Sequence, residues 1–190
     1  MSLPPIASVP SLSTEERAKI LDLLFEPSQP LHYLSVPLLH SETFSSYDDL
    51  IAAVGVQLTE LSDSPSTSDT AWLESILGAH PRLGAKNVDS AQSAAEQAQL
   101  QGQGEELAKL NDEYEAKFRG LKYVVFVDGR GRDVIMQDMR ERIDTGSLQG
   151  EKAAAIRVSG SRMIRDTDWE VSLTSKAMCE IASDRAKKLA

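Results

Sequence analysis

One local pattern constrains this chain more than any other: a serine or threonine stands three residues ahead of an acidic one, just before apolar residues spaced three and four apart. It occurs as STEE at 13–16, at Ser46 and Asp49, as SAAE at 93–96 and as TDWE at 167–170. At a helix start the hydroxyl accepts the amide of the third helical residue, and an acidic side chain there can reach back to the first free amide. The apolar residues that follow, such as Ile20, Leu21 and Leu24 or Leu50, Val54, Leu58 and Leu61, form one stripe of a helix. With 41% hydrophobic but only 5% aromatic residues, such stripes bury best against one another. The expectation is an all-α fold, a compact single-domain bundle of about seven or eight helices over residues 13–190. Residues 1–12, with three prolines and no periodicity, read as an extended or disordered arm.

In chain order, the first helix stops at Pro27, and the segment 27–40, broken by Pro27, Pro30 and Pro37, is expected to hold at most short helical turns. SDSPSTSD is a linker of small polar residues. The run AWLESILGA is expected to bury Trp72, Leu73, Ile76 and Leu77, with Gly78 weakening the helix and Pro81 pushing His80 out of the helical region. A helix opened at Ser93 is interrupted by GQG at 102–104 and resumes with Leu107, Leu110, Tyr114 and Phe118. LKYVVFV is the one strand-like run; having no clear partner, it reads as an isolated extended segment. Val134, Ile135, Met139 and Ile143 mark a further helix, EKAAAIRVSGSRMIR another, and TDWE opens a last one through Met178, Ile181 and Leu189.

Several function classes are poorly matched by these residues. A net charge of −9 repels polyanions, so neither nucleic acid nor an anionic membrane is an expected partner. No apolar run reaches the roughly 20 residues of a membrane span. The single cysteine, Cys179, allows no internal disulfide and no thiolate metal cluster. His32 and His40 lack a carboxylate in a metal-ligand pattern, so no metal is expected. GQGEEL and DGRGRD lack the third glycine of a nucleotide loop, and Ser159 lacks the GxSxG setting of a nucleophile. Without a basic apolar leader or a terminal SKL tripeptide, an intracellular location is expected, cytoplasmic or peroxisomal.

The stretch Gly78 to Gln97 holds the candidate chemistry. His80 has two readings: an imidazolium resting on a helix C-terminal dipole, or a proton carrier with an ordinary pKa near ~6.5. Ser93 and Glu96 form a capping box, whose free amides could also meet an anionic ligand, and Gln97 could read a ring or urea edge. Arg140, Arg142, Arg157, Arg162, Arg165 and Arg185 are expected mostly on solvated faces, although an anionic substrate would want one guanidinium in its pocket.

The order HPRLG, then SAAEQ, then LNDEYEAKF followed by an apolar run resembles the 2-oxo-4-hydroxy-4-carboxy-5-ureidoimidazoline (OHCU) decarboxylases, which carry out the last step of urate breakdown to allantoin. The resemblance runs from the helix at Ser13, through FEPS at 25–28, to the C-terminal helix. It implies that His80 is the catalytic acid/base and Glu96 the carboxylate beside it. Pro81, Ser93, Gln97, Arg185 and the segment Tyr123, Val124 and Val125 would then bind substrate. It further implies a small-molecule substrate, no cofactor and a homodimer. Two departures stand out: RGLKY replaces the GFPF that follows KF in many members, and residues 144–167 look like an insertion, making Arg162 and Arg165 rivals of Arg185.

The chemistry such a resemblance implies is feasible for unaided side chains. A carboxylate on a carbon next to an imine can leave as carbon dioxide because the ring takes up the electron pair, so neither pyridoxal phosphate nor a metal is required. The protein must orient the ring, keep water away and deliver a proton to one face, which would yield S-allantoin. The alternative is a helical module that binds a ureide or purine-like ligand without turnover.

Overall fold

A computed structural model describes residues 2–85, 93–94, 104–127, 129–156 and 178–189. A 3-10 helix, Ile6–Ser11, is followed by α1 (Thr14–Phe25), α2 (Gln29–Ser41), α3 (Tyr47–Asp63) and α4 (Thr67–Leu77). Then come α5 (Gly104–Lys117), α6 (Arg132–Thr145), α7 (Leu148–Ile156) and α8 (Met178–Leu189). No strand occurs among the described residues, and the fold is all-α. The expected extended segment, 121–127, is neither helix nor ladder. None of the described helices is long and apolar enough to cross a membrane.

The helix starts follow the local chemistry of their caps. Ser13 accepts the Glu16 amide at 3.3 Å while the Glu16 carboxylate accepts the Ser13 amide at 2.9 Å, a reciprocal box. Ser46 and Ser66 cap α3 and α4 through the amides of Asp49 and Asp69. The box expected at 167–170 falls outside the described residues.

Two expectations fail in instructive ways. The segment 27–40 is not a set of short turns, because α2 runs through it for 13 residues. Pro30 occupies the first turn, where an amide has no helical partner to lose. Pro37 is interior and deprives the Tyr33 carbonyl of its donor, a defect of about 3 kcal/mol. Burial of Leu31, Val36 and Leu39, each no more than 7% exposed, offsets it. The neighbouring Leu34 carbonyl accepts the Gln57 amide from α3 at 3.1 Å, a further tie between the two helices.

The N-terminal arm is likewise not free along its length. Residues 6–11 coil into the 3-10 helix, bury Val9 completely and pack on α2. The Arg17 guanidinium holds the carbonyls of Pro10 and Leu12, Tyr47 donates to the Pro4 carbonyl, and the Leu3 amide bonds to the Leu189 carbonyl at 3.0 Å. Smaller corrections concern stripe edges: Trp72 is 40% exposed and stacks obliquely on Tyr33, and Val134 is 51% exposed.

α8 packs on α1 and α3, and α3 also meets α4 and α7, so α3 lies at the centre of this group. α5 and α6 pack as a pair. The end of α1 and the end of α4 therefore sit on a common scaffold with the C-terminal helix, and the candidate chemistry gathers where they converge.

Candidate active site

α4 ends because Gly78, its C-cap, is followed by Ala79 and a residue that Pro81 bars from helical geometry. The loop after it is held from several sides. Arg82 bonds Glu115 and Asp112 of α5 at 2.6 Å each, and the Asn111 side chain donates to the Leu83 carbonyl at 3.0 Å. Gly84 turns the chain with φ +81°, a conformation that side chains disfavour. HPRLG and LNDEYEAKF, distant in sequence, are thus one construction. On its other side the Lys122 ammonium donates to the carbonyls of Gly78 and His80 at 2.5 and 3.2 Å.

The result is a His80 that is 4% exposed, not solvent-facing. Its Nε2 is buried and has no hydrogen-bond partner among the described residues. An unpaired buried polar atom costs roughly 1 to 3 kcal/mol, so its retention calls for an explanation other than stability.

Beside His80 lies an ion pair assembled from three parts of the chain. Arg185 of α8 donates to the Glu26 carboxylate at 2.8 Å, to the Ser93 hydroxyl at 2.9 Å and to the Leu24 carbonyl at 3.4 Å. Ser93 donates in turn to Glu26 at 2.5 Å. All three side chains are buried. Glu26 ends α1 at φ 78° and ψ 149°, a region populated almost only by glycine. Two local demands combine there: reversal after a helix end favours positive φ, and Pro27 holds the preceding residue at extended ψ. A glutamate kept in that conformation, with its carboxylate bonded on two sides, marks a site whose side chain matters.

The electrostatics follow from this arrangement. Burial pushes the His80 imidazole down to about 4; the Arg185 charge acts the same way, the Glu26 carboxylate opposes it, and Lys122 adds to the depression. His80 is therefore neutral near pH 7, with a nitrogen able to accept a proton. Burial alone would raise the Glu26 carboxyl, but the Ser93 hydrogen bond and the Arg185 charge prevail and hold it below the usual carboxylate range.

A family model described as OHCU decarboxylase matches residues 10–160, a span that includes both the HPRLG loop and LNDEYEAKF. The chain belongs to the OHCU decarboxylase family. A comparison with the curated proteins found no match. Membership supports a decarboxylase role in purine catabolism, that of a carboxy-lyase acting on a small molecule. Arg185 lies beyond the matched residues, yet α8 carries it to the same place as Glu26 and Ser93.

Against this OHCU decarboxylase scaffold the expected residues divide into three groups. His80, Ser93 and Arg185 come together, with Pro81 partly buried beside His80. Tyr123, Val124 and Val125 are buried one to three residues after Lys122, which bonds to the His80 loop. The Tyr123 side chain is turned to α6: its hydroxyl donates to the Asp138 carboxylate, and its ring lies 5.1 Å from the Arg142 guanidinium. Glu96 and Gln97, with the rivals Arg162 and Arg165, lie outside the described residues. Arg142, one of the arginines expected mostly on solvated faces, is buried between Asp138 and Glu151.

Two residues escaped the sequence reading. Glu26 stood in FEPS, which only helped to carry the family resemblance and gave it no role. Lys122 stood in RGLKY, registered only as a departure. No local pattern marks either, because their partners are distant in sequence.

Proposed function

We propose that the chain converts 2-oxo-4-hydroxy-4-carboxy-5-ureidoimidazoline to S-allantoin, without a cofactor, using His80 as acid/base. The observation that carries this reading is the buried, neutral His80 whose Nε2 has no partner among the described residues, next to the Glu26–Ser93–Arg185 cluster. In the proposed course the bond to the carboxylate breaks and carbon dioxide leaves. The electron pair moves into the ring, where the adjacent C=N takes it up and its nitrogen gains a proton from solvent. His80 accepts the hydroxyl proton, which makes that carbon a carbonyl, and a proton is delivered to one face of the neighbouring ureido-bearing carbon, which sets the handedness.

Glu26 and Arg185 divide the remaining work. Their ion pair places a carboxylate near the imidazole, ready to stabilise the imidazolium that forms when His80 takes a proton. Arg185, already bonded to Glu26 and Ser93, acts mainly by holding that carboxylate ionised, and presents its positive charge to the anionic substrate. Glu96 and Gln97, with Pro81 and the 123–125 backbone, complete the proposed substrate contacts. The chain is also proposed to act as a homodimer, in the cytoplasm or peroxisome; sedimentation at the single-chain mass of 20.8 kDa would remove the dimer.

The test uses substrate generated freshly from urate and circular dichroism at an allantoin band. His80→Asn is expected to fold normally and to lose roughly 10²- to 10⁴-fold in rate. Wild-type turnover in that variant would defeat the mechanism. Saturable binding of allantoin by the wild-type chain without any turnover would instead establish a binding module.

A further inference from the structure

The helix α4 ends with carbonyls that have no amide to accept, as every helix does. Here the Gly78 carbonyl is satisfied by Lys122, a side chain 44 residues away, which also reaches the His80 carbonyl. The two bonds, at 2.5 and 3.2 Å, bracket Ala79 and fix the backbone on both sides of the step that turns His80 inward. A lysine capping a helix end is common. A lysine that also grips the carbonyl of the buried histidine itself does more than cap.

We propose that Lys122 is a positioning residue for His80, latching the histidine loop through both carbonyls and setting its ammonium beside that loop. This rests on the reading of His80 as the acid/base. Among the described residues, the charged groups facing the imidazole are Glu26 at the end of α1, Arg185 of α8 and Lys122 after α5. Glu26 favours imidazolium, and the two cations oppose it. Burial and the Arg185 charge are the larger influences against imidazolium, and Lys122 adds to them from the loop that it holds. A base must be unprotonated before it can act, so a residue that disfavours imidazolium extends activity to lower pH.

The experiment compares Lys122→Met, Lys122→Gln and Lys122→Arg with the wild-type chain in two measurements. The first is the titration of the His80 imidazole by NMR on the resting protein; the second is kcat and KM against pH on freshly made ureidoimidazoline. Lys122→Met is expected to move the His80 titration upward, shift the acid limb of kcat to higher pH and lower kcat at neutral pH about tenfold, with KM within about twofold. Lys122→Arg, which keeps the charge, is expected to restore the titration and most of kcat. If Lys122→Met does not fold, Lys122→Gln, neutral but still able to donate one hydrogen bond, carries the same expectation for the titration. A His80 titration unmoved in the neutral variants, with a wild-type acid limb, overturns the proposal and leaves a plain helix cap. Failure of the wild-type chain to turn over substrate would sink the functional reading instead, while the titration still decides whether Lys122 acts on His80.

Discussion

Glu26 and His80 act together in a way that pH should expose. His80 is held at about 4 against an ordinary 6.5, so the unfolded chain binds a proton that the folded chain refuses. Stability from this group is complete above about pH 6.5 and falls as pH drops toward 4, by roughly 3 kcal/mol in all. Glu26, also depressed, adds stability above the usual carboxylate range that is lost as pH falls through its folded value. Both effects have the same sign, so urea midpoints should decline steadily on acidification. His80→Asn should flatten the part of that decline between pH 6.5 and 4, as read from denaturation at each pH. Glu26→Gln leaves Arg185 buried without its counter-charge and should lower stability by about 3 to 5 kcal/mol, measured by the same method. A loss under about 1 kcal/mol would mean that Arg185 relies on other partners.

At the scale of elements, local signals were read well and long-range ones were not. The Ser13–Glu16 box and the caps of α3 and α4 are short-range chemistry, visible in a few consecutive residues. The α2 helix was missed because Pro37 looks decisive locally, whereas the burial of Leu31, Val36 and Leu39 that outweighs it depends on packing from elsewhere. Periodicity located the stripe containing Leu73 and Ile76 but not its edge, where Trp72 lies against the exposed Tyr33 and stays partly exposed. His80 was found by its type and its Pro81 neighbour. Its burial was not, since that comes from α5 and the segment after it.

The loop itself offers the element-level test. A Cβ at Gly84 would meet the Leu107 Cδ2 at 2.7 Å, and the positive φ there is strained for any side chain. Gly84→Ala should therefore cost about 1 to 2 kcal/mol in thermal or chemical unfolding. Because the same loop carries His80, kcat should fall by a larger factor than a uniform loss of stability would explain. A variant destabilised as expected but with unchanged kcat would show that the HPRLG turn does not set the geometry of His80.

At the scale of the whole molecule, the Glu26–Arg185 pair has a consequence for where this protein ends as a folding unit. The family match stops at residue 160, but α8 buries Met178, Ile181 and Arg185 against α1 and α3. Losing the burial of Met178 and Ile181 costs roughly 3 to 6 kcal/mol. Stranding Glu26 costs about 3 to 5 more, and the two together rival the ~5 to 15 kcal/mol that holds a typical domain folded. A fragment of residues 10–160 should therefore show no cooperative melting by itself, and adding a synthetic peptide covering 178–189 should restore a transition in calorimetry. The C-terminal helix would then behave as a detachable ligand whose binding is itself the last act of folding, and an active site would be what its guanidinium completes on arrival.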